Sequence, residues 1–408
     1  MPFLMTDATR PATTSADPWA RNIWALTLIV FVAFVGFQFF SPFLPLYVQE
    51  LGVADPRRVA LWSGVLAAVT PAVSGLLAPV FGRLADRYGR KLMLIRSLAG
   101  FTVIIAAMGL VTSVEQLLTA RLLQGLFAGF TPMAMAVASV SAPREKVPTA
   151  IGMVQSAQLL SAAVGPAAGG YVASHFGIRY AFFATAAMCA LALLTLIFLF
   201  KEVDGGAPGA GRRAPPRLPL RDLFGYPHFA VVLLLLMTAQ FLDRGLALLI
   251  PLQVAALPGM HAIAATSGLI ISVAAIAATV SANAVARLSR DVPPARLLMV
   301  ALALGGPLCA GMALVHGWPT LLVLRALVGL TLGGAITLAY TVGAGIVPGE
   351  TRAAAFGWLA LGVQIGTATS PLVTGALAAV SLPGAFVAYA AVALGGAALA
   401  AGGTRGLR

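Results

Sequence analysis

Twelve long apolar stretches succeed one another along this chain, and a basic loop, Gly82-Arg83-Leu84-Ala85-Asp86-Arg87-Tyr88-Gly89-Arg90-Lys91, joins the second to the third. A helix needs roughly 20 apolar residues to cross a bilayer. Lipid offers the backbone no hydrogen-bond partners, so a long open span can only be a helix. The pattern predicts spans near 22–48, 60–82, 92–111, 115–139, 149–173, 178–200, 228–254, 264–287, 295–315, 318–343, 353–379 and 383–403. Prolines inside them, such as Pro71, Pro166, Pro251 and Pro371, are usual in membrane helices, where neighbouring helices satisfy the freed backbone groups. The expected fold class is an all-α integral membrane protein, with twelve transmembrane helices in two six-helix, pseudo-repeated bundles.

Composition excludes the soluble alternatives. Apolar residues make up 60% of the chain and charged residues 10%, against about 25% charged in an average globular domain. A net charge of +13 would suggest nucleic acid in a soluble protein. Here it follows from topology, because Lys and Arg collect in cytoplasmic loops. With the N-terminus inside, the outer loops hold only Arg57, Arg58 and Arg179, while Arg121, Arg244 and Arg325 fall within spans. The remaining cations, among them Arg83, Arg87, Arg90, Lys91, Arg96 and Arg352, count as cytoplasmic. Both termini are therefore expected in the cytoplasm of a bacterial inner membrane protein, the first span serving as its signal anchor. Cys189 and Cys309 lie in apolar stretches, and the four histidines are scattered without carboxylate or Cys neighbours at ligand spacing. No metal, cofactor, nucleic acid partner or catalytic constellation is expected, and the absence of a GxxxxGK[ST] loop argues against ATP as the direct energy source.

The organisation is a cytoplasmic tail (1–21), a six-helix bundle (22–200), a Gly/Pro-rich basic linker (201–227), a second six-helix bundle (228–403) and a short tail (404–408). The bundles repeat. Arg121-Leu122-Leu123-Gln124-Gly125-Leu126 is answered by Arg325-Ala326-Leu327-Val328-Gly329-Leu330, and Gly152, Pro166 and Gly170 by Gly357, Pro371 and Gly375. Tandem halves with a binding site at their interface are a transporter architecture.

Three motifs carry a family resemblance. The loop GRLADRYGRKLML (82–94), RLLQGLFAG (121–129) in the fourth span and GPAAGG (165–170) in the fifth resemble the major facilitator superfamily, drug:proton antiporter type. FLPLYVQELGV (43–53), LWSGV (61–65) and GRKLMLIRS (89–97) are similar to MdtG-like bacterial multidrug efflux transporters. The resemblance implies a multidrug exporter coupled to protons. It assigns Gly82, Asp86, Arg87, Gly89 and Arg90 to a conformational latch whose partner lies near Arg352. It assigns Arg121 to proton coupling, and Gly165, Pro166, Gly169 and Gly170 to a seal and bend in the fifth helix. Where Asp86 stands in the first half the second has Arg290, so no equal latch is expected there.

Asp243 is the residue that physics alone selects. It is the acidic residue lying deep in a span, and an intramembrane ionisable group is a functional candidate by default. Either it carries a proton, or Arg244 or a cavity arginine such as Arg121 holds it as a permanent structural partner. Arg121 itself either serves coupling or snorkels to the outer surface. Gln38, Gln158, Gln240 and Gln364 are the candidate polar anchors of an otherwise apolar and aromatic substrate cavity. The expected partners are a small-molecule substrate, protons and the lipid bilayer, with the monomer as the working unit. The rival readings are a facilitator or proton-coupled transporter of one metabolite such as a sugar, and a non-transporting membrane sensor.

Overall fold

Length and apolarity dictate helices, and helices form. In the computed structural model residues 18–200, 226, 228–346 and 352–403 are described. The predicted linker and both tails fall almost wholly outside these residues. The twelve spans are, in order, Trp19–Glu50, Pro56–Tyr88, Arg90–Met108, Val114–Ser141, Val147–Phe176, Ile178–Phe198, Phe229–Ala256, Ile263–Leu288, Pro294–Met312, Trp318–Gly343, Ala355–Val380 and Leu382–Gly402. No strand occurs among the described residues. The face where the first span begins is called the terminal side below, and the opposite face the far side.

The second span exceeds its predicted bounds. Helix continues through Gly82 and Asp86 to Tyr88, and Gly89 alone, at φ 91°, makes the turn into the third span. A side chain would strain that left-handed backbone. The polarity of 82–88 marks where the chain leaves the lipid, not where the helix stops. On the far side, the Asp55 carboxylate accepts from the Arg57 N–H at 3.0 Å, and the Ser113 hydroxyl accepts from the Gln116 N–H at 3.3 Å. These side chains satisfy donors that a helix start leaves free.

Two cores form, one within each set of six spans. Leu26, Tyr47 and Phe182 belong to the first, and Phe229, Leu249 and Phe386 to the second. The internal repeat extends to single contacts. In the first half Ser161 donates to the Phe31 carbonyl at 3.0 Å, and one turn later Gly165 packs against the Val35 carbonyl. In the second half the order is reversed: Gly366 packs against the Met237 carbonyl, and one turn later Ser370 donates to the Phe241 carbonyl at 2.6 Å. Each bundle thus joins its first and fifth spans with one glycine and one serine, the small residues that let membrane helices approach.

The fourth and tenth spans are both broken near their middle. The fourth is helical over Val114–Leu126 and Phe130–Ser141, with Gly129 at φ 102° between them. The tenth is helical over Trp318–Leu332 and Ala335–Ile346.

The two bundles meet along two seams. Gly64 of the second span faces Gly375 of the eleventh, and a methyl group on Gly64 would stand 2.5 Å from the Pro371 carbonyl and 3.0 Å from the Gly375 Cα. Gly170 of the fifth span packs on the Ala264 carbonyl of the eighth, and Gly268 of the eighth on the Pro166 carbonyl of the fifth. All these residues lie in the far-side halves of their spans. Toward the terminal side, a methyl added to Gly75, Gly82, Gly152 or Gly357 would find no atom within 4 Å. The bundles therefore pack backbone to backbone at these two far-side seams, whereas these four glycines toward the terminal side touch no neighbour.

Candidate functional site

Three charged residues sit together beneath the far-side seams. Asp243 and Arg244 occupy the middle of the seventh span, with side chains 55% and 51% exposed. The Asp243 carboxylate is 3.9 Å from Arg244 Nε and 3.9 Å from Arg325 NH2 of the tenth span. Arg325 is only 7% exposed. Charges this accessible at mid-span belong to a water-filled cleft, because facing lipid would be costly. The Asp243 carboxylate is accessible and loosely held by two cations. Its second partner is Arg325 rather than Arg121.

Arg121, the repeat counterpart of Arg325, is held quite differently. It is 5% exposed and does not snorkel. Its Nε donates to the Leu66 carbonyl at 2.9 Å and its NH1 to Gln124 Oε1 at 2.9 Å. Its own carbonyl accepts from Thr70 at 2.9 Å, and its guanidinium lies 5.7 Å from the Phe40 ring centroid. Neutral acceptors surround it, and among the described residues no carboxylate pairs with it. It is a buried cation with no opposite charge beside it, held by two hydrogen bonds to neutral acceptors.

The antiporter motif lies at the first and eighth spans. Gly165 and Gly169 abut Gln38 and Phe39 of the first span, leaving no room for a side chain, while Pro166 and Gly170 abut the eighth. Two reciprocal hydrogen bonds reinforce that contact: Ala167 N–H to Ser272 Oγ and Ala265 N–H to Ser174 Oγ, each 2.9 Å. Ser174 and Ser272 carry no mark in the sequence beyond being small and polar.

The basic motif acts at the terminal side. Arg90 reaches the Ala136 carbonyl at 3.4 Å and Lys91 the Phe200 carbonyl at 2.7 Å, gripping the fourth span and the chain just past the sixth. Arg87 lies over Tyr88. Asp86 is exposed and makes no ion pair with a described side chain. The side chain of Arg352, its expected partner, lies outside the described set. Gly82 makes no close helix approach. Of the four glutamines, Gln240 is buried under Gly366, Gln38 and Gln158 are half-buried, and Gln364 is exposed. They stand on four different spans, and no hydrogen bond joins any two of them. Arg96 was counted with the loops, yet it lies inside the third span. The signal was available, since position 96 falls within the predicted span 92–111.

Residues 26–318 and 260–402 match the sequence pattern of the Major Facilitator Superfamily. A multidrug resistance protein MdtG from Klebsiella pneumoniae is 34% identical over 374 residues, which is 90% of either chain. The chain belongs to the major facilitator superfamily. MdtG of Yersinia enterocolitica is 34% identical over 79% of this chain and 78% of its own. Among solved structures, a bacterial homologue of the human lysosomal transporter Spinster, inward-facing and occupied, superposes with a TM-score of 0.79 at 19% identity, covering 96% of this chain and 98% of that one. The nucleoside transporter NupG gives 0.74 at 14% identity over 93% and 98%. These likenesses fix the fold. As a superfamily member the protein is a multi-pass bacterial membrane transporter of small molecules.

Proposed function

We propose that this transporter is a multidrug-type exporter of small lipophilic or amphipathic compounds, driven by proton antiport through alternating access. The observation that carries the reading is the one-sided packing: the bundles meet at two far-side seams, and the Asp243–Arg244–Arg325 cluster lies beneath them with its carboxylate accessible. The multidrug resistance proteins named above, to which the chain is similar over most of its length, support the substrate class. The excess of Lys and Arg on the terminal side supports an inner-membrane orientation with both termini cytoplasmic. The described state then opens to the cytoplasm, where an exporter loads. The monomer suffices, since each conformational state needs only the two bundles of one chain.

In this reading Asp243 takes and gives the proton. Its carboxylate is reachable, and neutralising it dissolves two ion pairs, one of which links the seventh span to the tenth. Arg121 supplies a fixed positive field in the first half. Proton and substrate must favour different states of one cycle, because a ligand shifts an equilibrium only through differential affinity. Asp86 meets the eleventh span once the terminal side closes, latching the opposite state.

The deciding measurement is efflux of a lipophilic fluorescent dye from intact cells. Efflux is expected to collapse when an uncoupler dissipates the proton gradient and to persist when ATP alone is depleted. Uphill efflux that survives the uncoupler overturns the antiport reading.

A further inference from the structure

Arg96 is a half-buried cation inside the third span that the mechanism above leaves unused. We propose that it is a positioning residue: it clamps the break in the fourth span, so that the stretch beyond Gly129 turns on it while Arg121 stays in place. The inference rests on alternating access but not on any particular cargo.

Arg96 stands six residues into the third span, about 9 Å along the helix at 1.5 Å per residue. Its NH2 donates to the Ala128 carbonyl at 2.9 Å, and Ser97 approaches the same oxygen at 3.5 Å. That carbonyl lies in the break, where lipid supplies no substitute donor. The guanidinium also lies 4.6 Å from the Phe81 ring centroid of the second span and 5.9 Å from that of Phe127 at the break itself. The Phe127 ring covers Gly100, one turn beyond Arg96, leaving no space there for a side chain. Gly129 completes the arrangement at φ 102°, and a methyl on it would stand 3.0 Å from the Phe81 ring. Three spans thus converge on three residues of irregular backbone.

A break does not by itself demand an arginine. The tenth span breaks at the repeat position with Gly333 in ordinary helical backbone, at φ −60°. There Ser281 suffices, accepting from the Gly334 N–H at 3.2 Å. The repeat offsets that relate the halves place Val300 and Ala301 where the first half has Arg96. The Arg96 Nε, moreover, is buried without a partner. An unsatisfied buried donor calls for an explanation, and a clamp that is made in this state and given up in the other supplies one. The stretch Val114–Leu126 carries Arg121 and is tied to the second span through Leu66 and Thr70. A hinge at 127–129 lets Phe130–Ser141 swing without breaking those bonds.

The test needs no substrate. Spin labels on Lys146→Cys and Arg290→Cys, both exposed on the terminal side, report the opening between the bundles in lipid nanodiscs. Cys189 and Cys309 are buried and stay unlabelled. Arg96→Leu is expected to lower the ratio of long to short distances about tenfold, the size set by losing one hydrogen bond from a charged donor in one state only. Arg96→Lys keeps a donor without the flat stacking face and is expected to recover part of that shift. An unchanged distance distribution in Arg96→Leu overturns the proposal, whether or not melting falls. Should Arg96→Leu not fold, Phe81→Leu removes only the ring contact and must shift the ratio in the same direction; no shift overturns the proposal equally. A wild type locked at one distance under every condition would instead sink the alternating-access reading.

Discussion

Arg121 and Arg325 occupy one position of the internal repeat, and the protein treats them in opposite ways. In the first half the guanidinium is bound at 2.9 Å by a carbonyl and at 2.9 Å by the side chain of Gln124, one turn along its own helix. In the second half Val328 replaces Gln124, and Arg325 makes no hydrogen bond to any described group. Its Nε is buried and unpartnered, and Asp243 approaches its NH2 only to 3.9 Å. The repeat decides where a cation is placed. A single side chain one turn away decides whether that cation is settled or left dependent on a group that can titrate. One half thus provides a fixed charge and the other a conditional one.

The largest effect is expected at the settled arginine. Arg121→Leu removes two hydrogen bonds from a charged donor, each contributing about 1.5–3 kcal/mol, and strands the Leu66 carbonyl and Gln124. Thermal stability in detergent and dye efflux should both fall sharply. Efflux near wild type would show that the first-half cation is not part of the cycle.

Asp243→Asn should separate function from stability. Its ion pairs are long and its side chain is half exposed, so their loss should cost about 1 kcal/mol or less and shift melting only slightly. Gradient-driven efflux should nonetheless be abolished, because Asn keeps the shape but cannot titrate. Adding Arg325→Leu removes the cation left behind and should restore melting without restoring efflux. A double variant with full gradient-driven transport eliminates Asp243 as the proton carrier.

The smallest effect tests the comparison most directly. Val328→Gln gives the second half the acceptor that the first half owns. Arg325 should then bond along its own helix, raising stability by about 1 kcal/mol and releasing Asp243. Efflux should slow by several fold with its dependence on the gradient weakened. Unchanged efflux together with unchanged melting would mean that the residue one turn from Arg325 does not govern its pairing.

The spans were legible because apolar length is a one-dimensional property, and lipid leaves the backbone no choice but helix. What failed to show was three-dimensional. The second span ran past its polar stretch because polar residues beyond the bilayer favour helix as readily as loop. Arg96 was misplaced because a cation near a predicted span end reads as a topological charge, and only the neighbouring Ala128 carbonyl reveals its use. The Asp243–Arg325 pair joins positions far apart in sequence, and adjacency drew attention to Arg244 instead. The missing Gln124 counterpart was the available hint, since an arginine deprived of its in-helix partner must find another.

The seams on the far side also have an electrical consequence. A membrane voltage falls mainly across the part of a protein that excludes water, and on the far side the bundles pack backbone on backbone at Gly64–Gly375 and Gly268–Pro166. With the terminal side open, the whole potential is focused on that thin layer. In the inward-open state proposed above, Asp243, Arg244 and Arg325, with a combined charge of +1, then sit electrically at the potential of the terminal side despite lying at mid-membrane. When the seams part and the other end closes, the voltage drop passes to the opposite flank of the same residues without their having to travel. Each unit of charge so transferred is worth about 2.3 kcal/mol per 100 mV, which makes the glycine seams the place where the membrane potential acts on the transport cycle.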